Sequence, residues 1–487
     1  MILPEAKLYI DGVIRRAAGD KTYDSIGPWT GEVVGQAADA SSEDVDAAVA
    51  AARRAFDDTD WSTNHALRFD LAKKLFDLLK ADYERLSHIA RHEGGVAMGA
   101  VSRAQVGMAL DCYQSLLGLI PQLKWEKDMG DAGPAVYRCH RKVLYEAVGV
   151  VGAITPWNVP LYITVGKVVS AVLAGCTIVL KPAPDTPGMG FVFGELAQRA
   201  GFPPGVLNVI TGADPVMAGE MLVTDPRVNL ISFTGSTAVG KRIMEKGATT
   251  LKRVFLELGG KSAKIVLDDV PNFAQEIAGS MLLHHAGQGC AVVSRLLVSR
   301  KRHEEAKEIL RKSYADYESK WGVFDDPNAI MGPVVSKKQM ERVKGYIDLG
   351  VQEGATLLAG GKLRPDKGTG WFVEPTCFVD VTNAMRIARE EIFGPVLVVI
   401  AYEDEEDAIR IANDSEYGLS GGVSSGNLDH ALRLASRIRT GSVSVNGGVC
   451  IAGDLPFGGY KASGIGREWG IEGIQEFLES KVVAWRI

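Results

Sequence analysis

No two cysteines are spaced CxxC. The six, at positions 112, 139, 176, 290, 377 and 450, are scattered, so neither a zinc site nor a disulfide framework is indicated. Blocks of one charge are missing too. The 54 basic and 60 acidic residues are well mixed and sum to a net charge of -6, which leaves no footprint for nucleic acid or for a membrane surface. Apolar stretches such as Val148 to Ile154 and Val168 to Val172 are far too short to cross a bilayer. Met1 to Asp11 lacks the basic region and apolar run of a signal peptide. A cytoplasmic, soluble enzyme is the expectation. Low-complexity tracts and fixed-period repeats are absent as well. What is present is a chain of 487 residues, 46% hydrophobic and 23% charged, long enough for more than one domain and a sizeable core.

The 55 glycines punctuate an alternation of short apolar runs with longer amphipathic segments. Ser42 to Phe56 reads as a helix opened by Ser-Glu-Asp, with Val45, Val49 and Ala52 on one face. Leu67 to Ile89 reads as another. Strands are expected at Val148 to Thr155, Cys176 to Leu180, Val206 to Ile210, Leu230 to Phe233 and Arg253 to Leu256. Helices are expected between them, at Leu161 to Ala174, Phe191 to Arg199, Ala213 to Leu222 and Thr237 to Gly247. Strands alternating with helices mean a parallel sheet covered on both faces, and Val148 to Leu258 looks like a dinucleotide-binding unit. A second α/β stretch follows. It has helices at Phe273 to Ala286, His303 to Trp321, Asp404 to Ala412 and Asp429 to Ile438, a loop at Gly368 to Pro375 and a strand at Val396 to Tyr402. Phe477 to Ile487 reads as an edge strand in need of a partner.

Four local patterns carry chemistry. Gly287-Gln288-Gly289-Cys290 lets the backbone approach a bound group and leaves a thiol accessible, although a lone cysteine is more simply a buried hydrophobe. His284 and His285 are separated from that thiol by the glycine-rich turn and do not read as a Cys–His dyad. Glu257, in Phe255-Leu256-Glu257-Leu258-Gly259-Gly260, is a carboxylate among apolar residues at a strand end, where burial raises its pKa and suits it to act as a base. Gly235-Ser236-Thr237 turns from a strand into a helix, where amides can bind an anion or the Ser can simply cap. Asn158 stands between Pro156 and Pro160, which restrict its backbone, either as an oxyanion donor or as a turn residue.

Taken in order, Pro156-Trp157-Asn158-Val159-Pro160, Leu180-Lys181-Pro182-Ala183, Phe233-Thr234-Gly235-Ser236, Leu256 to Lys261, Gly287 to Cys290, Glu390 to Val396 and Pro456 to Lys461 resemble the aldehyde dehydrogenase superfamily. The likeness runs over essentially the whole chain. It implies an α/β fold: a Rossmann-like cofactor domain (1–122 and 147–258), an α/β catalytic domain (259–440, with 441–476 returning towards the cofactor domain) and a small β bridging or oligomerisation element (123–146 and 477–487). Carried over by motif, Cys290 resembles the nucleophile and Glu257 the general base. Asn158 and the Cys290 amide resemble the oxyanion hole, and Lys167 a lysine that relays protons through the base. Lys181 resembles the ligand of the adenosine ribose. Ser236 with Gly235 resembles the pyrophosphate site. Glu391 and Phe393 resemble the residues that hold the nicotinamide ribose and ring, and Trp157 resembles a cofactor-binding residue.

The resemblance implies NAD-dependent oxidation of a small-molecule aldehyde to an acid through a thioester on Cys290, by a homodimer or homotetramer without metal. NADP stays open: the carboxylate that many NAD-preferring relatives carry three residues after the ribose lysine is Pro184 here, with Asp185 next. The aldehyde tunnel would be lined by Val159, Tyr162, Ile163, Gly166, Ile451 and Phe457. With no arginine among them and Gly166 where narrow-tunnelled relatives carry an aromatic, a roomy apolar site for a medium-chain or aromatic aldehyde is expected. A coenzyme A-acylating dehydrogenase and an inactive scaffold of the same fold are the alternatives.

Overall fold

The computed structural model describes residues 2–317, 321–322 and 324–487. Its largest sheet has eight strands in the spatial order Val13–Arg15, Leu8–Ile10, Leu207–Val209, Thr177–Lys181, Val150–Ile154, Leu230–Thr234, Arg253–Glu257 and Gly464–Ile465. The five from Leu207–Val209 to Arg253–Glu257 are parallel. All are short and nearly continuous in apolar residues, as strands covered on both faces must be. Val150–Ile154 starts in the middle. The chain first winds outward to one side through Thr177–Lys181 and Leu207–Val209, then crosses to Leu230–Thr234 on the other. That reversal creates a crevice beyond the carboxyl ends of Val150–Ile154 and Leu230–Thr234, where open α/β sheets bind ligands.

The Pro160–Ala174 helix leaves this crevice and is buried along its whole length. Pro160 opens it, and Gly175, at φ 96°, closes it in the left-handed conformation. A second sheet of seven strands runs Thr356–Ala359, Thr376–Val379, Val396–Tyr402, Val293–Ser299, Ser262–Val266, Ser420–Ser424 and Ser442–Val445. It is parallel except for its first pair. Ser442–Val445 therefore edges this second sheet, and only Gly464–Ile465 of the later segment joins the first. A third sheet projects as an arm. Leu478–Arg486 pairs antiparallel with Cys139–Ala147, which pairs with Glu126–Ala132. Among the described residues no helix is long and apolar enough to cross a membrane.

Several boundaries differ from the sequence reading. Leu67 to Ile89 is two helices, His65–Ala81 and Tyr83–Gly94. Asp82 lies between them with ψ near 13°, and its carboxylate is drawn to Arg85 at 2.6 Å. The helix expected over Ala213 to Leu222 starts at Met217, because Asp214 accepts the Val216 amide in a turn. The His303 helix ends at Ala315, and 318–320 lie outside the described residues. Phe273 to Ala286 is helical only to Ala278. His285, Ala286 and Gly287 follow at φ 48°, 51° and 68°, a left-handed run that no right-handed helix can continue through. The nucleophile loop is thus preceded by an irregular turn, not by a helix bearing two histidines. Thr237–Gly247 and Val396–Tyr402 form where the pattern places them.

Candidate active site

The carboxyl end of the first sheet faces the second sheet across a cavity of about 270 Å³. Trp157 and Asn158 come from the end of Val150–Ile154, Gly235 and Ser236 from the end of Leu230–Thr234, and Glu257 from the end of Arg253–Glu257. Cys290, Glu391 and Phe393 enter from the other side, and all eight line the cavity. Residues far apart in sequence meet because parallel strands deliver their carboxyl ends to one edge. The two glycines after Glu257 are required by contact. A Cβ on Gly259 would lie 2.5 Å from Oε2 of Glu391, and one on Gly260 would lie 2.4 Å from the Cys290 carbonyl oxygen.

The Cys290 thiol faces the Glu257 carboxylate. Burial raises the thiol pKa well above its ordinary value, and the Glu257 charge and hydrogen bond raise it further. Burial also raises the Glu257 carboxyl, with the charge of Glu468 adding to the effect. One oxygen, Oε1, makes no hydrogen bond to any described residue. Lys167 is fully buried behind this pair. Its ammonium lies 3.1 Å from Oε1 of Glu468 and donates to Ser232 Oγ at 3.1 Å, 4.8 Å from the Phe255 ring. Glu468 has no counterpart among the residues singled out from the sequence. It looks like an ordinary surface charge in Arg467-Glu468-Trp469, and only the fold buries it.

Asn158 is held from both ends. Its Nδ2 donates to the Gln288 carbonyl at 3.0 Å, and its own carbonyl accepts from Gln105 Nε2 at 2.8 Å. Gln288 is itself pinned, accepting the Val335 amide at 2.9 Å and donating to the His285 carbonyl at 3.0 Å. The nucleophile loop and the Asn158 amide are therefore one hydrogen-bonded unit. His285 is buried, and burial lowers its pKa to about 4. A neutral ring cannot hold a thiolate by charge, consistent with the absence of a dyad.

At the far end, Lys181 is only 3% exposed, and burial lowers its pKa to about 8 against the charges of Asp214 and Asp185. Ser236 caps the Thr237–Gly247 helix by accepting the Val239 amide, which leaves the first-turn amides facing the crevice. Glu391 accepts the Gly260 amide at 2.9 Å, and burial raises its carboxyl to about 7. Phe393, at φ 61°, meets Trp157 edge-on at 5.4 Å. Two residues that sequence reasoning missed hold this loop: Gln339 donates to the Phe393 carbonyl at 2.7 Å, and Arg342 to the Glu391 carbonyl at 2.6 Å. Both come from the Lys337–Gln352 helix, whose sequence carries no motif. A lysine at one end, free helix amides in the middle and a carboxylate with an aromatic pair beside the thiol suit an extended dinucleotide.

Of the expected tunnel residues, Tyr162, Ile163 and Phe457 are buried in one apolar cluster, against which Val159, Ile451 and Cys290 pack. The space expected at Gly166 is filled. A Cβ there would lie 3.0 Å from the Trp469 ring and 3.2 Å from the Glu468 carboxyl carbon. Trp469 takes the room that the missing side chain leaves, so the wide apolar tunnel read from Gly166 is not present on this wall.

The chain matches the aldehyde dehydrogenase family over residues 14–483. It is 40% identical over 484 residues to the 3-succinoylsemialdehyde-pyridine dehydrogenase of a Pseudomonas species, covering 98% of each chain. It is 39% identical over 480 residues to the putative aldehyde dehydrogenase DhaS of Bacillus subtilis, covering 98% of this chain and 95% of that one. Among solved structures, a mutant of aldehyde dehydrogenase C from Pseudomonas syringae, in complex with NAD+ and octanal, superposes with a TM-score of 0.92 at 36% identity, over 98% of this chain and 96% of that one. A point mutant of betaine aldehyde dehydrogenase from Staphylococcus aureus, in complex with NAD+, gives 0.94 at 35% identity, over 99% and 96%.

Proposed function

Because the chain belongs to the aldehyde dehydrogenase family and is an aldehyde-oxidising oxidoreductase, we propose that it converts an aldehyde to the free acid with NAD through a thioester on Cys290. The observation that carries this reading is the Cys290 thiol set against the buried Glu257 carboxylate, beside the pinned amide of Asn158. The thiol passes its proton towards Glu257, and sulfur adds to the aldehyde carbon. The resulting alkoxide is met by the remaining amide hydrogen of Asn158 and by the Cys290 backbone N–H. The nicotinamide of bound NAD supplies the hydride acceptor. Water then attacks the thioester. The raised pKa of Glu257 makes it a base able to accept that proton near neutrality, with Lys167 and Glu468 behind it to carry the proton away. A base built into the deacylation site favours hydrolysis over transfer to coenzyme A.

NAD is supported by the NAD+ in the solved neighbours and by the electrostatics at Lys181. Pro184 offers no side-chain acceptor, but the carboxylates of Asp214 and Asp185 bear on the ammonium and oppose the extra charge of a 2′-phosphate. A preference for NAD over NADP of about tenfold, or 1.4 kcal/mol, is expected in kcat/KM. The test is a panel of aldehydes with either cofactor, with the product identified chromatographically and coenzyme A added in a parallel arm. Free acid in both arms is expected. Acyl-CoA would replace hydrolysis by thiol transfer, and no turnover with any aldehyde would favour an inactive scaffold.

Asn158→Ala should lower turnover by on the order of 10²–10³, the scale for one lost oxyanion donor. Its donor acts mainly on the alkoxide, so aldehyde KM should move much less than kcat. An equal loss in both would make Asn158 a substrate-positioning residue. For assembly, we propose a homodimer or homotetramer formed through the arm. Leu478–Arg486 is an edge strand with Val482 and Trp485 exposed, as is Ile487 just after it, and such an edge calls for a partner. Light scattering reads this directly, and a monomer at working concentration would exclude it.

A further inference from the structure

The Pro187–Ala200 helix starts without a cap of its own. Thr186 stands at its N-cap position and makes no side-chain capping bond, although a threonine there ordinarily accepts a first-turn amide. The cap arrives from another helix. Glu93, in the last turn of Tyr83–Gly94, is only 3% exposed. Its Oε1 and Oε2 accept the Gly188 amide at 2.9 and 3.1 Å, and Oε2 also accepts the Met189 amide at 3.3 Å. A carboxylate is well placed at a helix N-terminus, where unpaired amides and the helix dipole both meet it. The fit is close: a Cβ on Gly188 would lie 2.7 Å from Glu93 Oε1.

This anchor lies directly behind the turn that follows Lys181. A Cβ on Gly190 would lie 2.5 Å from the Pro182 ring, so the first helical turn presses on the residue after the lysine. Between them the chain closes a four-residue turn, in which the Thr186 amide donates to the Ala183 carbonyl at 3.2 Å. Pro184 takes the second position of that turn, where its fixed φ is favourable. The proline therefore does more than remove a carboxylate. It sets the corner on which Asp185 stands. Burial raises the Asp185 carboxyl, and the ammonium groups of Lys338 and Lys181 draw it down again.

We infer that Glu93 is a positioning residue for cofactor specificity. By holding the start of the Pro187–Ala200 helix it fixes the Pro184-Asp185 corner, so that the Asp185 carboxylate serves with Lys181 as the acceptor for a ribose hydroxyl and as the charge that rejects a 2′-phosphate. Glu93 touches no cofactor itself. It acts through two backbone amides and a proline turn.

The inference rests on the proposed NAD preference, and calorimetric binding of NAD and NADP tests both without turnover. Wild type should bind NAD about tenfold more tightly than NADP. Glu93→Gln keeps the side chain's size but turns an NH2 group towards a backbone amide. It should weaken NAD by about 3–10-fold and leave NADP within about twofold, so that most of the preference is lost. Gly188→Ala breaks the same contact from the other side with a good helix former, and should do the same. Asp185→Asn should reach the same ratio. Adding Glu93→Gln to it should lower the ratio no further, because both act through one charge. In turnover, KM for NAD should rise by more than kcat falls. A lower Tm with the wild-type ratio intact would make Glu93 a purely structural cap and overturn the inference, as would additive losses in the double variant. A wild type that binds the two dinucleotides equally would overturn the NAD preference and the inference with it. A wild-type preference retained in both Glu93→Gln and Gly188→Ala would overturn the inference alone.

Discussion

Cys290→Ser should abolish aldehyde oxidation, with turnover falling by at least on the order of 10⁴. The thiol of Cys290 already lies well above its ordinary pKa because it is desolvated in the site and faces a carboxylate, so it reacts only by passing its proton to a neighbouring base as it attacks. A serine hydroxyl has a far higher intrinsic pKa and is a poorer nucleophile at the same position. Glu257, the group facing it, is not a strong enough base to compensate. The side chain is small and the swap nearly isosteric, so the loop held by Gln288 and Asn158 should keep its shape. Cofactor affinity should therefore be nearly unchanged, since Lys181, Ser236 and Glu391 are untouched. Turnover close to wild type would remove Cys290 from the nucleophile's role. Loss of cofactor binding along with activity would show that the variant had collapsed the crevice.

Glu257→Gln should leave acylation partly intact and slow hydrolysis, reducing steady-state turnover by about 10²–10⁴, the range for a positioned general base. The first turnover should then appear as a burst of reduced cofactor, with a thioester visible by mass spectrometry. The pH dependence follows from the raised carboxyl. Below its raised pKa Glu257 is protonated and cannot accept a proton, and above it the base is competent, so activity should climb as pH rises through that value. The glutamine variant should lose this limb. Linkage adds a second readout. Above the ordinary carboxyl range the unfolded chain releases this proton while the folded chain retains it, so the group costs stability as pH rises from that range towards the raised pKa. Removing it should leave the variant at least as stable as wild type at neutral pH. A variant with no burst and an unchanged steady-state rate would assign water activation to another group. One that is strongly destabilised at neutral pH would overturn the electrostatic account of the site.

Much of the scaffold was legible because its signals are local. Thr237 to Gly247 carries a cap, an amphipathic period and a terminal glycine, and Val396 to Tyr402 is an uninterrupted apolar run. Both elements form where those signals lie. Local signals failed where a tertiary contact overrode them. The periodicity from Phe273 continues past Ala278, but the chain must turn through three left-handed residues to bring Gln288 under Asn158. Gly166 read as empty space, yet Trp469, three hundred residues on, occupies it.

The division between the two levels is physical. Strand ends, glycine turns and capped helices depend on neighbours within a few residues, and motifs built from them, such as those around Asn158, Glu257 and Cys290, survive in the linear text. The sequence alone therefore determined the architecture of alternating strands and helices and singled out the thiol, the carboxylate and the amide. Burial, charge coupling and close packing depend on which distant segments meet. Only the tertiary structure decided that Glu468 lies behind Lys167, that Gln339 and Arg342 hold the Glu391 loop, that Asp214 bears on Lys181, and that Trp469 fills the space beside Gly166. Glu468, Arg342 and Asp214 look in sequence like any solvated charge, because a charged side chain reveals what it does only when its surroundings have been folded around it.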